Sequence, residues 1–348
     1  MAQYNSSEKL TVLRTLLKNR KLDGLLVQRT DLFQGEEVRS CDERLAFISG
    51  FTGSAGYALI MLDMALLFSD QRYILQMKKQ TNPSQWKCYD SMTTNIEDLL
   101  SNTDGLGKHL IIGYDSWNMT AGQVEKLPPS AGDILINWVG IKKPLVDEIW
   151  QDRPKKQLLK HWHMPVEMAG MSASQKITSL LVSQGLEENC SAILVSSVGN
   201  TNWLLNIRGN GLIHTPYFLA MLLVYSANSV AIITEQKLEK AIKIDELNIE
   251  YYQFNEIEKL AKTLHGKKVQ IDKATCPQGL LDSLCDENIS IEFRPDITTV
   301  SKSQKSEAEL LGIREAHIKD AVAFCNFWHW FEAYDHRRPL TESEVAVY

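Results

Sequence analysis

"DERLAFISGF", residues Asp42–Phe51, has an echo far down the same chain in "TNWLLNIRGN", Thr201–Asn210. Each reads as an aromatic and apolar turn of helix that runs to a glycine, and the flanks repeat as well. Upstream of the first, the amphipathic "SEKLTVLRTLLKNR" passes through Asp23-Gly24 into the apolar strand "LLVQ". Upstream of the second, "SASQKITSLLVSQG" passes through Asn189 into "SAILVS". Downstream, the paired strands "YALIML" and "ALLFSDQRY" correspond to "FLAMLLVY" and "SVAIITEQK", which sets Asp70-Gln71-Arg72 against Glu235-Gln236-Lys237. Each half closes with an apolar strand reaching an aspartate, "LIIGYD" (Asp115) and "VQIDKA" (Asp272). The repeat distance of about 160 residues is too long for a solenoid and fits a duplicated domain. Strands and helices in this order predict an α/β fold, with mixed sheets flanked by helices and one topology used twice.

The boundaries follow. Residues 1–148 form the first copy and 166–300 the second, joined by the charged, proline-bounded linker 149–165. A third unit opens within 301–348. There Ser306 and Glu309 make an S-x-x-E capping box. After it Leu310, Ile313, His317, Ala321, Phe324, Trp328 and Phe331 recur at three- and four-residue steps, the apolar stripe of a helix of about eight turns. Leu310, Phe324, Trp328 and Phe331 are expected to pack on the second copy or on another molecule, because burial of such side chains is worth roughly 1.5–3 kcal/mol each.

Bulk composition excludes several classes. The 348 residues are 44% hydrophobic and 23% charged, with a net charge of −6 and a pI near 5.8. That is ordinary globular material without the basic face that nucleic acid requires. Cys41, Cys88, Cys190, Cys276, Cys285 and Cys325 are scattered with no C-x-x-C pair, which reads as reduced thiols in a cytoplasmic protein. "MAQYNSSEKL" has no apolar signal region, and the apolar run Phe218–Tyr225 is far short of the roughly 18 residues of a membrane span.

Candidate sites are few. "GFTGSAG" (Gly50–Gly56) lacks the G-K-[ST] ending of a phosphate loop and runs into a strand, so a tight turn is expected. His161 and His163 in "HWH" have no carboxylate or cysteine at ligand spacing, which favours packed or solvated histidines. His317, on the apolar stripe without an H-E-x-x-H pattern, reads as a hydrogen-bonded histidine at a domain interface. Arg72 ends a core strand and reads as a salt-bridge partner of Asp70 or Glu43.

Taken together, "DERLAFISGFTGSAG", "LLFSDQRYILQ", "LVDEIWQDRP", "TNWLLNIRGN" and "KSEAELLGIREAHIKDAVAF" resemble, in this order, the long, three-domain form of Xaa-Pro aminopeptidase (aminopeptidase P). Short-form relatives such as creatinase and prolidase carry a single N-terminal domain. The resemblance implies two creatinase-like N-terminal domains followed by the first helix of a truncated pita-bread domain. It implies for the parent a homodimeric, cytoplasmic metallopeptidase that removes the residue preceding a proline in second position. Two divalent ions, usually manganese, would be held by two aspartates, a histidine and two glutamates, all beyond residue 348. No catalytic residue or metal ligand is therefore expected in this chain, which alone would be inactive and would shape the substrate mouth and the assembly. The partners implied are a proline-containing peptide and a second subunit, with no nucleic acid and no membrane. Arg72 is the one residue carried over as substrate-binding. It matches the arginine of the family's Asp-Gly-Arg-Tyr turn, although Gln71 replaces the glycine and would strain a turn that needs positive φ. The alternative is a non-catalytic peptide- or histone-binding pseudoenzyme on the same fold, against which the duplicated N-terminal domain counts.

Overall fold

The computed structural model describes residues 6–183, 192–238, 240–244, 247–285, 288–335 and 337–347. Asn189 and Cys190 lie outside these described residues. The first half contributes β1 (Gly24–Gln28), β2 (Tyr57–Met61), β3 (Ala65–Ser69), β4 (Lys87–Asp90), β5 (His109–Asp115), β6 (Ser130–Ala131) and β7 (Ile134–Ile141). After β8 (His161–His163), the second half contributes β9 (Ala192–Val195), β10 (Ile207–Gly209), β11 (Ala220–Ser226), β12 (Ser229–Thr234), β13 (Asn248–Gln253), β14 (Lys268–Ile271) and β15 (Ser290–Phe293).

One sheet is ordered β4-β3-β2-β1-β5-β7-β6 and the other β13-β12-β11-β9-β14-β15. In the first, β1–β2 and β2–β3 are antiparallel while β3–β4, β1–β5 and β5–β7 are parallel. The second repeats these directions pair for pair: β9–β11 and β11–β12 antiparallel, β12–β13, β9–β14 and β14–β15 parallel. The two halves thus share one topology, in mixed sheets flanked by helices. Both faces of the sheets are covered, which is why the central strands are nearly unbroken apolar runs. Along β1, Leu25 and Val27 enter one core cluster and Leu26 the opposite one, the two-residue period of a strand. The helix Ser6–Asn19 buries Leu10, Leu13 and Leu17 on one face.

The halves are fastened by loops that follow equivalent strands. Gly122 N donates to Lys273 O (2.9 Å) and Gly279 N to Ser116 O (2.7 Å). Between them, Ala121 N donates to Cys276 O (2.9 Å) and Gln278 N to Met119 O (2.8 Å). Gly122 and Gly279 stand equally far beyond Asp115 and Asp272, as do the other partners, so the contacts exchange under a local two-fold rotation. A Cβ on Gly279 would lie 2.9 Å from Ser116 Oγ and 3.0 Å from the Trp117 ring, and one on Gly122 3.1 Å from the Lys273 carbonyl oxygen. Close approach of the two backbones therefore requires glycine on both sides. Around this ribbon, Phe33 and Ala121 of the first half are buried in the second half's core. Phe254 meets Phe33 and Trp117 edge-on at 5.9 and 5.8 Å.

The joining stretch 149–165 is tied down along its length. Arg153 pairs with Asp42 (3.1 Å) and Asp147 (2.6 Å), and Lys156 with Glu235 (2.7 Å). The "HWH" stretch forms β8, antiparallel to β10, with the His161 ring 5.8 Å from Phe218.

The helix Glu307–Ala333 begins with the expected capping box. Glu309 N donates to Ser306 Oγ at 3.2 Å, and Ser306 N to Glu309 Oε2 at 2.8 Å. Its first turn is anchored to the second half: Trp203 Nε1 donates to Glu309 Oε1 (3.1 Å), and buried Lys176 Nζ lies 4.2 Å from the Trp203 ring centre. Beyond that turn no residue of this helix is buried, and Phe324 and Trp328 are 60% and 50% exposed, so of the two covers expected for them the second half is not the one they have, while Leu310 and Phe331 are partly buried. The rings instead contact one another along the helix, as Phe324 and Trp328 do at 6.3 Å. His317 is exposed on the same helix. The stripe also shares the helix with Leu311, Ile318 and Val322, so apolar residues occupy more than the one face first assigned. No described helix is long and apolar enough to cross a membrane.

Candidate substrate-binding turn and interdomain cleft

All five residues of β3 are buried, and the chain leaves it through Asp70 into the short helical turn Gln71–Tyr73 and the helix Ile74–Gln80. The Asp70 carboxylate does three jobs there. It accepts Arg72 N at 3.0 Å, closing the turn, and takes Arg72 Nε at 2.9 Å and Nη2 at 2.8 Å in a fork. The guanidinium hydrogen bonds hold the Asp70 carboxyl below its ordinary value. Arg72 nevertheless remains 70% exposed, with its guanidinium 5.2 Å from the Tyr73 ring centre. Two of its five donors are engaged by Asp70, which leaves the Nη1 edge open to solvent.

The turn is braced from below. The Tyr73 hydroxyl is 2.5 Å from Ser54 Oγ, and its ring packs edge-on against Phe51 at 5.9 Å. Ser54 and Phe51 belong to "GFTGSAG", whose Gly50 (φ 84°) ends the helix Arg44–Ser49. That segment is a structural turn beneath Arg72. Gln71 is not among the residues with positive φ, so it carries no strain and the turn forms without the glycine. Glu43, the other carboxylate considered for Arg72, is held by Arg29 Nη2 at 2.8 Å. Arg29 also donates to the Glu36 and Ser54 carbonyls, so the Arg72–Glu43 pairing is excluded and Asp70 is the partner.

A charge network that the sequence did not suggest lies behind this surface. Asp42 is within reach of Arg39 (2.6 Å), Arg153 (3.1 Å) and Arg44 (3.4 Å), and Asp147 of Arg44 (2.7 Å). Arg39 also crosses to Glu235 of the second half (2.6 Å), and both side chains are about nine-tenths buried. Two carboxyls stand apart from these pairings. Asp31, accepting Phe33 N at 2.9 Å, is pushed up to about 6 by burial and by nearby Asp42. Asp115, accepting Trp117 N at 3.0 Å, is pushed up to about 7, chiefly by burial and against the pull of Arg44.

Two clefts open on either side of the loop that follows β1. One, of about 600 Å³, is bordered by Asp70 and Ser69. The other, of about 630 Å³, lies between that loop and the second half, bordered by Tyr217 and Lys302. Both share Arg29, Gln34, Gly35 and Glu36. Among the described residues, no group of three or more His, Cys, Asp or Glu side chains is arranged to hold a metal ion. These described residues do not fit a dinuclear centre.

The Creatinase/Prolidase N-terminal domain family matches residues 9–147 and again residues 152–309. The chain belongs to this family and carries its domain twice in tandem. Over the same span it is homologous to Xaa-Pro aminopeptidases. A protein named "Probable Xaa-Pro aminopeptidase P" from Laccaria bicolor is 32% identical over 356 residues, covering 98% of this chain and 54% of the relative. One of the same name from Paracoccidioides lutzii is 34% identical over 361 residues, covering 95% and 56%. The chain thus spans about half the length of the curated relatives it matches. The same fold occurs in the X-prolyl aminopeptidase of Caenorhabditis elegans, described as a cytosolic enzyme with a di-nuclear active site. That structure matches with a TM-score of 0.79 at 23% identity, covering 95% of this chain and 56% of the other.

Proposed function

We propose that this chain is the N-terminal part of a cytoplasmic, homodimeric dinuclear-metal aminopeptidase that removes the first residue from peptides with proline in second position. The tandem domains carry the reading, since their arrangement matches named Xaa-Pro aminopeptidases along almost the whole chain. It counts against a histone-binding pseudoenzyme, whose fold has one such domain. Residues 1–148 and 166–300 are the two domains, 149–165 joins them, and 301–348 leads into the catalytic part. The two metals, manganese as the usual ion, would be held outside this chain, so no catalytic step is assigned to it here.

Arg72 is the residue assigned to substrate. The Xaa-Pro bond is a tertiary amide whose ring fixes the backbone and removes a donor, so peptide recognition depends on groups that donate to its carbonyls. Arg72 supplies such donors at an exposed site, preset by Asp70 so that little side-chain freedom is lost on binding. In the longer enzyme, Arg72→Ala is expected to raise KM for Arg-Pro-Pro about tenfold, in line with loss of a hydrogen bond to a charged donor. An unchanged KM would remove Arg72 from the substrate site. The 348-residue chain alone should show no turnover in the same assay.

A further inference from the structure

The cleft between the loop after β1 and the second half holds an ammonium group that makes no close ion pair among the described residues. Lys302 stands near the end of the helix Thr298–Ser303, and its side chain reaches back to the cleft wall. A Cβ placed on Gly199 would lie 3.2 Å from Lys302 Nζ and 2.9 Å from the Tyr217 hydroxyl. The absence of a side chain at residue 199 thus leaves room for an ammonium and a phenol side by side. No ion pair within 4.0 Å involves Lys302 among the described residues. Asp296, whose charge acts on Lys302 from beyond ion-pair distance, accepts from Asn200 Nδ2 (2.7 Å) and Thr298 N (2.8 Å). Burial lowers the Lys302 pKa from its ordinary value, against the pull of Asp296.

Of the other charged groups on this wall, Glu36 is exposed, while Glu37, Arg29 and Asp31 are held by other partners. Glu37 accepts from Ile213 N (2.7 Å) and His214 N (3.0 Å), clasping the loop that leads to Tyr217. Arg29 is held by Glu43, and Asp31 is turned inward onto Phe33 N. A half-buried ammonium in a polar cleft is stabilised by an anion that accepts from it, and Tyr217 supplies a second donor beside it. The donors are one ammonium and one hydroxyl, with no free arginine fork, which suits the single charge of a carboxylate better than a phosphate dianion.

We infer that Lys302 and Tyr217 form a subsite for the terminal carboxylate of a peptide whose other end lies toward Arg72. The inference rests on the peptidase reading above, because the two clefts adjoin along Arg29, Gln34, Gly35 and Glu36 and Asp70, which holds Arg72, borders the farther one. Its chemistry is distinct from that of Arg72, since it reads the charge at the end of the peptide and not its backbone.

Calorimetric titration of the 348-residue chain with Arg-Pro-Pro-Ala-Ala, as free acid and as C-terminal amide, tests this. The acid should bind about tenfold more tightly than the amide, the gain of one charge-assisted hydrogen bond pair. Lys302→Met should abolish the difference, and Lys302→Arg should retain it. Arg72→Ala, by contrast, should weaken acid and amide alike, so failure of the peptidase reading and failure of the carboxylate subsite give different patterns. Equal affinity for acid and amide in the unaltered chain overturns the subsite even if a variant does not fold. So does absence of binding by both peptides, a preference for acid that survives Lys302→Met, or displacement of the peptide by inorganic phosphate at equal concentration.

Discussion

Asp70-Gln71-Arg72 and Glu235-Gln236-Lys237 occupy the same place in the two halves, directly after β3 and after β12, yet they have opposite surroundings. In the first half the shorter acid folds back onto its own arginine, and the pair faces solvent. In the second the longer acid turns away from Lys237 and reaches Arg39 (2.6 Å) and Lys156 (2.7 Å), where it is nearly dry. One methylene and a neighbouring loop convert a display surface into a weld. One copy of the turn thus leaves its arginine exposed while the other holds the halves together.

The largest expected effect separates these two acids. Glu235→Gln removes one of the two carboxylates that hold buried Arg39, Asp42 being the other, and should lower stability by about 3 kcal/mol in urea unfolding, the upper end for a lost charged hydrogen bond. Asp70→Asn removes an exposed carboxylate and should leave the urea midpoint within error. Equal losses at the two positions would break the contrast.

A smaller effect tests the two-fold relation between the halves. Gly279→Ala and Gly122→Ala each drive a methyl group into the opposite loop and should each cost about 1–3 kcal/mol, as overpacking does. A loss at one site and none at the other would show that the ribbon is symmetric in hydrogen bonding but not in energy.

The smallest effect concerns Asp115. Its folded value of about 7 lies above the 3.8 of an ordinary aspartate, so folding favours the protonated acid. The stability it contributes is complete below about pH 3.8 and is lost as pH rises through 7. Asp115→Asn, which cannot ionise, should therefore raise the melting temperature at pH 8 and leave it nearly unchanged at pH 4. An equal shift at both pH values would assign the effect to packing.

Much of this architecture could be read along the chain because strands covered on both faces write themselves as apolar runs, as in "FLAMLLVY" and "SVAIIT". Asp115 and Asp272 marked equivalent strand ends for the same reason, since each abruptly ends such a run. Arg72 was legible as a charged residue at a strand end, and its bond to Asp70 as a local pairing. The interdomain set was not. Arg39, Asp42, Asp147, Arg153 and Glu235 come from separate turns, with no period to relate them, and only the folded loops bring them together. The long helix shows the limit from the opposite direction, because an apolar spacing shows that a face can be covered and does not name what covers it.

Phe33 gives the interface a direction in time. A nascent chain that has emerged only through β7 holds every strand of the first sheet, while Phe33 still lacks the neighbours that bury it. The first half can therefore close around its own sheet as it leaves the ribosome, at the usual 5–20 residues per second. The second half must then fold around a side chain already waiting for it. Synthesis order makes the earlier copy a template, and a chain with the two copies transposed would present the plug after its socket.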